Sequence, residues 1–183
     1  MQMIESPRQR HTRAAVIFVV ALSAATAATA ATAATPASAE SDQWFGLVDN
    51  QPLRQTWLNA GFASYHFQRD KDLNGANGGL GVEQRLSTVT ALTAGRFYNS
   101  DRRFSNYAGV YYQPIALGPF RIGAVVGGFN GYPKMRDGGW FLAAIPVASI
   151  EYRAVGLNLA IVPTYKDRLY GAISFQLKLK VFE

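Results

Sequence analysis

Cysteine is absent from all 183 residues. That excludes a disulfide scaffold, a thiolate-held zinc or iron–sulfur site, a thiol nucleophile and a lipoprotein anchored through an acylated cysteine. Histidine is nearly absent: His11 and His66 are the only two, and charged residues make up just 16% of the chain. Long hydrophobic runs are also missing beyond residue 39. A membrane helix needs roughly 18 consecutive apolar residues. The best candidates, 122–129 and 141–150, are short and broken by Gly or Pro. A β-barrel escapes this test, because its apolar band is spread over alternate residues.

What is present at the start is a secretory pattern. Arg8, Arg10 and Arg13 precede the apolar run 14–22, an Ala/Thr tract follows, and Ala37-Ser38-Ala39 forms a small-residue cleavage site. This predicts a signal peptide over 1–39, too short in its apolar run to anchor in a bilayer. Arg8, Arg10, Arg13 and Glu5 leave with it, so the formal charge falls from +6 to +4 and His66 becomes the sole histidine. Residues 40–55 read as a leader whose Trp44, Phe45, Leu47 and Val48, with Asp42 and Asp49, suit one or two turns of interfacial amphipathic helix ended before Pro52, with a plain extended leader as the alternative.

Residues 56–183 are rich in Val, Ile, Tyr, Phe, Thr and Gly at short spacing, which predicts an all-β domain. Eight strands are expected, over 56–67, 78–86, 88–99, 104–114, 119–130, 139–151, 156–163 and 170–182. In the last, Phe175, Leu177, Leu179 and Val181 face one way and Gln176, Lys178 and Lys180 the other. Leu80 and Val82 oppose Gly81, Glu83 and Arg85; Phe120, Ile122, Ala124 and Val126 oppose Arg121 and Gly123. Aliphatic outside and charged inside is the pattern of a transmembrane barrel, with the Lys178/Lys180 and Glu83/Arg85 faces neutralising each other across the lumen. Connections alternate between longer loops and tight turns, which favours an eight-stranded antiparallel outer-membrane barrel over a soluble up-and-down barrel of lipocalin type.

The four longer loops collect cations: Arg69 and Lys71; Arg102 and Arg103; Lys134 and Arg136; Lys166 and Arg168, each set mixed with Asp. At a membrane rim such residues suit lipid phosphates; mixing with Asp in an exported chain speaks against nucleic acid. A solvated loop is the plainer explanation of the same charges. His66 ends the first strand, and Asn99-Ser100 end the third, so all three reach the same rim. A serine hydroxyl needs a base to become a nucleophile, and a neutral imidazole is a natural one.

Several segments resemble the lipid A palmitoyltransferase family of outer-membrane barrels. They are Pro146-Val147-Ala148-Ser149-Ile150-Glu151-Tyr152, Ile161-Val162-Pro163-Thr164-Tyr165, Asn74 with Gly78-Gly79-Leu80-Gly81, and Gln55-Thr56-Trp57. The resemblance implies that His66, Asn99 and Ser100 stand where the family has His, Asp and Ser for acyl transfer from a phospholipid to lipid A, without metal or cofactor. Asn99 replaces the acid, and Asp101, nearby in the sequence, is the candidate to substitute for it. A glycine that sets chain length in the family falls on Tyr111 here, which shortens or closes the cavity and, for an enzyme, implies a donor chain shorter than palmitate. Pro146 and Pro163 match prolines that open the family's wall sideways. The expected partners are therefore membrane lipids, with Tyr111 and the loop cations as substrate contacts and a monomer as the working unit. A non-enzymatic barrel that binds lipopolysaccharide, and a lipid A deacylase using Ser64 beside His66, are the competing readings.

Overall fold

A computed structural model describes residues 44–183; the expected signal peptide lies outside the described residues. Nine strands run in the order β1 (Phe45–Leu47), β2 (Pro52–His66), β3 (Ala76–Ser87), β4 (Thr90–Tyr98), β5 (Phe104–Leu117), β6 (Phe120–Phe129), β7 (Phe141–Tyr152), β8 (Val155–Val162) and β9 (Ala172–Phe182). Strands β2 to β9 each pair antiparallel with the next, and β9 pairs back onto β2, closing an eight-stranded barrel. The eight expected strands all form, with ends moved by at most four residues.

Of the two conformations open to the leader, the described residues take the extended one and not the helix. Phe45–Leu47 instead lie antiparallel to Ile115–Leu117 of β5. The reason is an open edge: β4 begins only at Thr90, opposite Tyr112, so β5 runs on without a neighbour on that side. The leader supplies the missing partner, with Val48 N donating to Pro114 O at 2.8 Å and Gly118 N to Trp44 O at 2.7 Å. A helix of one or two turns would have carried the whole cost of nucleation without that return.

All four loops, 67–75, 99–103, 130–140 and 163–171, emerge at one end, and the three tight turns at the other. Leu58, Leu80, Val82, Leu92, Val110, Val126, Leu142, Ile161 and Leu177 are exposed around the middle of the outer face. Exposed aromatics flank them: Tyr65, Phe67, Tyr98, Phe104 and Trp140 near the loops, Trp44, Phe45, Tyr112, Phe120, Tyr152 and Phe182 near the turns. From Phe104 to Tyr112 along β5 is eight residues; at about 3.4 Å each and a tilt of roughly 40°, that is ~20 Å of height, close to the apolar band of outer-membrane barrels. The exterior is consistent with that class.

Inside, the lumen is divided. Toward the turns it is polar: Glu83, Arg85, Asn59, Gln113, Ser149, Asn158, Gln176 and Lys178 are all buried. Lys178 pairs with Glu83 at 2.8 Å, as the alternation across β3 and β9 predicts; its second partner, Glu151 of β7 at 2.7 Å, is outside that expectation, and Lys180 pairs with Glu183 rather than with Glu83 or Arg85. Toward the loops it is aromatic. Phe62, Phe97, Tyr107, Phe129, Phe141 and Tyr132 form a chain of ring contacts with centroids 5.0 to 6.2 Å apart.

One strand changes face partway. Trp57 and Asn59 point inward, and so do Phe62, Ser64 and His66, although their numbers differ in parity. The register against both neighbours slips between Ala60 or Asn59 and Phe62, so Gly61 is a bulge. A Cβ there would collide with the backbone of Asn77 and Gly79, which explains glycine at this point. Without the bulge His66 would face outward.

Candidate active site at the loop end

His66 is the last residue of β2, paired with Ala172 of β9, and Phe67 N donates to Gly171 O at 3.0 Å just beyond it. Ser100 sits in the turn after β4. That turn is closed by Asn99 N donating to Arg103 O at 2.7 Å, and tied to the neighbouring loop by Asn74 N donating to Ser100 O at 3.0 Å. The two side chains meet: His66 Nε2 and Ser100 Oγ are 2.9 Å apart. Ser64, two residues before His66, bonds Ser174 Oγ at 2.8 Å instead. Among hydroxyls bonded to the sole histidine of the described residues, Ser100 is therefore the one paired.

Asn99 does not join this pair. Its side chain is fully enclosed and has every bonding position used within the loop scaffold. Nδ2 donates to Ser105 Oγ at 2.8 Å and to Gly131 O at 2.9 Å, while Oδ1 accepts from Asp101 N at 2.9 Å and Arg103 N at 3.0 Å. It shapes the turn that presents Ser100 and does not orient His66. A carboxylate could accept the two amides but could not donate to Ser105 and Gly131, so the amide is what this turn requires.

The His66–Ser100 pair opens onto a cavity of about 90 Å³. Its wall includes Phe62, Phe97, Tyr107, Val125, Phe129, Phe141, Ala143, Ile145, Ala160 and Val162, and its lining is overwhelmingly apolar. Tyr111 is among the lining residues and buried, with its hydroxyl toward Asn158 and the Glu83 side of the polar plug. It therefore closes the deep end of the apolar zone. An apolar cavity of about 150 Å³ holds one benzene in a packed core. The space beside His66 and Ser100 is smaller, so a larger apolar guest would need the aromatic side chains to turn aside.

Asp101 also lines the cavity mouth. Burial raises its carboxyl above the ordinary range, while the charges of Lys134 and His66 pull it back down. Burial, and then the charge of Asp101, push the Tyr132 phenol up. Lys134 is raised chiefly by its bond to Tyr170, whose hydroxyl accepts from Nζ at 2.8 Å.

The loop cations divide into two groups. Arg168 lines the cavity mouth, and Lys134 reaches it through Tyr170. The others stand away from it: Arg69 lies over the Tyr65 ring, Lys71 pairs with Asp70 at 3.1 Å, Arg102 pairs with Asp72 at 3.1 Å, Lys166 lies over Tyr165, and Arg103 and Arg136 are exposed. Among the described residues no three His, Asp or Glu side chains gather as metal ligands.

The wall has a seam beside the cavity. The β7–β8 ladder runs from Tyr152↔Val155 only as far as Val147↔Ala160. Pro146 is the next residue of β7 and has no N–H to continue it. Phe141 to Pro146 therefore pair with β6 but not with β8, and Ala143, Ile145, Ala160 and Val162 line the cavity on either side of the gap. Pro163 directly follows β8.

Sequence reasoning missed the aromatic ring. Phe97 and Tyr107 were accessible through inward parity, but the bulge hides Phe62. Neither a scan against protein-family models nor a search of curated proteins finds a match for the chain. The class defined by fold and site together is a small closed β-barrel with a histidine–serine pair at the mouth of an apolar cavity.

Proposed function

We propose that this protein is an outer-membrane acyltransferase that moves an acyl chain, shorter than palmitate, from a phospholipid to lipid A. The observation that carries this reading is the 2.9 Å His66–Ser100 pair opening onto an apolar cavity inside a lipid-compatible barrel. The secretory pattern and the two aromatic girdles support placement in the outer membrane, loops outward.

The donor enters through the β7–β8 seam and lays its chain along the cavity. Neutral His66 takes the Ser100 proton as Oγ attacks the ester carbonyl. The carbon–oxygen bond to glycerol breaks, and His66 returns the proton to the departing glycerol oxygen, releasing a lysophospholipid. An acceptor hydroxyl then gives its proton to His66 and attacks the acyl-serine, and Ser100 leaves with that proton. Asp101 stabilises the imidazolium formed in each half. General-base help of this kind is worth about 10²- to 10⁴-fold. Arg168 and Lys134 are placed to hold acceptor phosphate at the mouth.

The small cavity and the use of Asn99 as a loop former favour one alternative, a barrel that binds lipopolysaccharide without chemistry. Mass spectrometry of lipid A, after expression in a host without such an enzyme, separates them. An added acyl chain that disappears in both His66→Ala and Ser100→Ala supports acyl transfer. A lost chain means a deacylase, and an unchanged lipid A means a binding or structural barrel.

A further inference from the structure

Three polar side chains stand side by side on the outward face of the wall near its loop end. Arg96 of β4 pairs in register with Asn106 of β5, and Asn130, just past β6, donates its backbone N to Asn106 O at 3.2 Å. On the same face, the row toward the turns is Ala94, Ala108 and Gly128, and the row toward the loops contains Tyr98 and Phe104.

The direction of the arginine is informative. Its guanidinium carbon lies 4.3 Å from the centroid of the Phe104 ring, which is two residues nearer the loops in register. The aliphatic stem therefore runs along the wall and delivers the charge to the level of the aromatic girdle, where Tyr98 and Phe104 meet edge-on at 5.4 Å. A lipid-facing cation is strongly disfavoured at the centre of a bilayer and tolerated at its interface.

Arg96 is exposed, and none of the ion pairs among the described residues involves it. Stacked on Phe104, it keeps its N–H edge available, a fork that matches phosphate oxygens. Asn130 Oδ1 accepts from Asn106 N at 2.7 Å and Asn106 Nδ2 at 3.4 Å, which leaves Asn130 Nδ2 to donate elsewhere. Below these donors the exposed side chains of Ala94 and Ala108 are small, and the Trp140 ring lies against Gly128 at the far end of that row.

We infer that Arg96, Asn106 and Asn130 form an exterior binding site for the phosphate of a membrane lipid in the loop-side leaflet, its acyl chain lying over Ala94 and Ala108. The site is on the opposite face of β4 from Phe97 and the cavity. It rests on the membrane placement proposed above, and not on acyl transfer.

Native mass spectrometry of the barrel released from micelles doped with phosphatidylglycerol, or with diacylglycerol of the same chains, tests it. The expected result is one retained phosphatidylglycerol, no retained diacylglycerol, and at least a tenfold loss of lipid affinity in Arg96→Leu and Arg96→Gln. Both variants should keep the heat-modifiable gel mobility of a folded barrel. Equal retention in Arg96→Gln, retention of diacylglycerol, or full displacement of the lipid by millimolar inorganic phosphate overturns the site. A wild-type barrel that stays monodisperse without detergent overturns the membrane placement itself, whereas an inactive His66→Ala that still retains the lipid leaves the exterior site standing.

Discussion

Lys178 Nζ stands 2.8 Å from Glu83 Oε1, the lysine side chain wholly enclosed and the glutamate 2% exposed. Glu151 approaches the same ammonium at 2.7 Å and also pairs with Arg85, so two cations and two anions fill the lumen beneath the cavity. Each charge is tolerable there only because the others are present. Lys178→Met should therefore lower the unfolding free energy by about 3–5 kcal/mol. Urea titration in detergent micelles measures it, and Lys178→Met combined with Glu83→Gln should recover most of the loss. An unchanged midpoint in the single variant would mean that water reaches the plug and solvates the carboxylates.

Most of the barrel was legible in the residues because a wall with one aliphatic and one polar face leaves a period of two. The pairs Leu80/Glu83 and Leu177/Lys178 give that signal directly and foretold the Glu83–Lys178 pair across the lumen, but not the part of Glu151 nor the turn of Lys180 toward Glu183. Two features were not legible. In the leader, Trp44, Phe45 and Val48 favour strand and Gly46 disfavours helix, but where the segment docks is decided by the unpaired edge of β5, a long-range property. The Gly61 bulge is likewise set by contact with β3, since the collision it avoids is with Asn77 and Gly79.

Asn99 supplies the second prediction. Replacing it with the acid expected at this position places a carboxylate oxygen against Gly131 O, where Nδ2 now donates at 2.9 Å. The donation to Ser105 Oγ is lost or reversed as well. Leaving a buried acceptor unsatisfied costs about 1–3 kcal/mol. Asn99→Asp should thus destabilise the barrel by that amount and loosen the 99–103 turn, lowering transfer to lipid A rather than raising it. Thermal melts together with lipid A mass spectrometry report both effects. A gain in activity would show that the acid acts at His66 directly and that the turn tolerates the change.

Tyr111 carries the third. It is buried at the deep end of the apolar zone, beside Val125 and Ile145. Tyr111→Ala removes the side chain that separates the cavity from the polar plug. The variant should lose about 3–5 kcal/mol of stability. It should also accept a chain too long for the wild type, with discrimination relaxed by about tenfold or more. Competition between phospholipid donors of two chain lengths, read by the mass added to lipid A, decides it. An unchanged product ratio would place the length limit higher in the cavity, at the Phe62–Phe97 ring contact.

The candidate site was only half legible. His66 and Ser100 could be assigned to the same rim from strand direction, but their contact depends on the bulge in β2 and on the turn that Asn99 holds. Residue spacing carries neither. Of the loop cations, Arg168 and Lys134 are the ones the chain's path brings to the cavity, which residue spacing does not carry either. Arg96 escaped notice because a single arginine in a strand reads as an inward residue until the register is known.

Asp101 gives the fourth prediction, through pH. Its carboxyl is raised above the ordinary 3.8, first by burial, with Lys134 and His66 opposing. A carboxyl with a raised folded value binds its proton more tightly in the folded barrel than in the unfolded chain. Its contribution therefore favours folding at low pH and is lost as pH climbs from 3.8 through the raised value. Asp101→Asn removes the ionisation, so the variant should match the wild type in stability below that window and exceed it above. Under the proposed acyl transfer, activity should move the other way, because the amide cannot stabilise a His66 imidazolium. Unfolding midpoints and lipid A acylation, both measured across pH 3 to 8, test the pair. Equal stability profiles would remove Asp101 from the enclosed mouth, and a fully active variant would leave His66 working without a carboxylate.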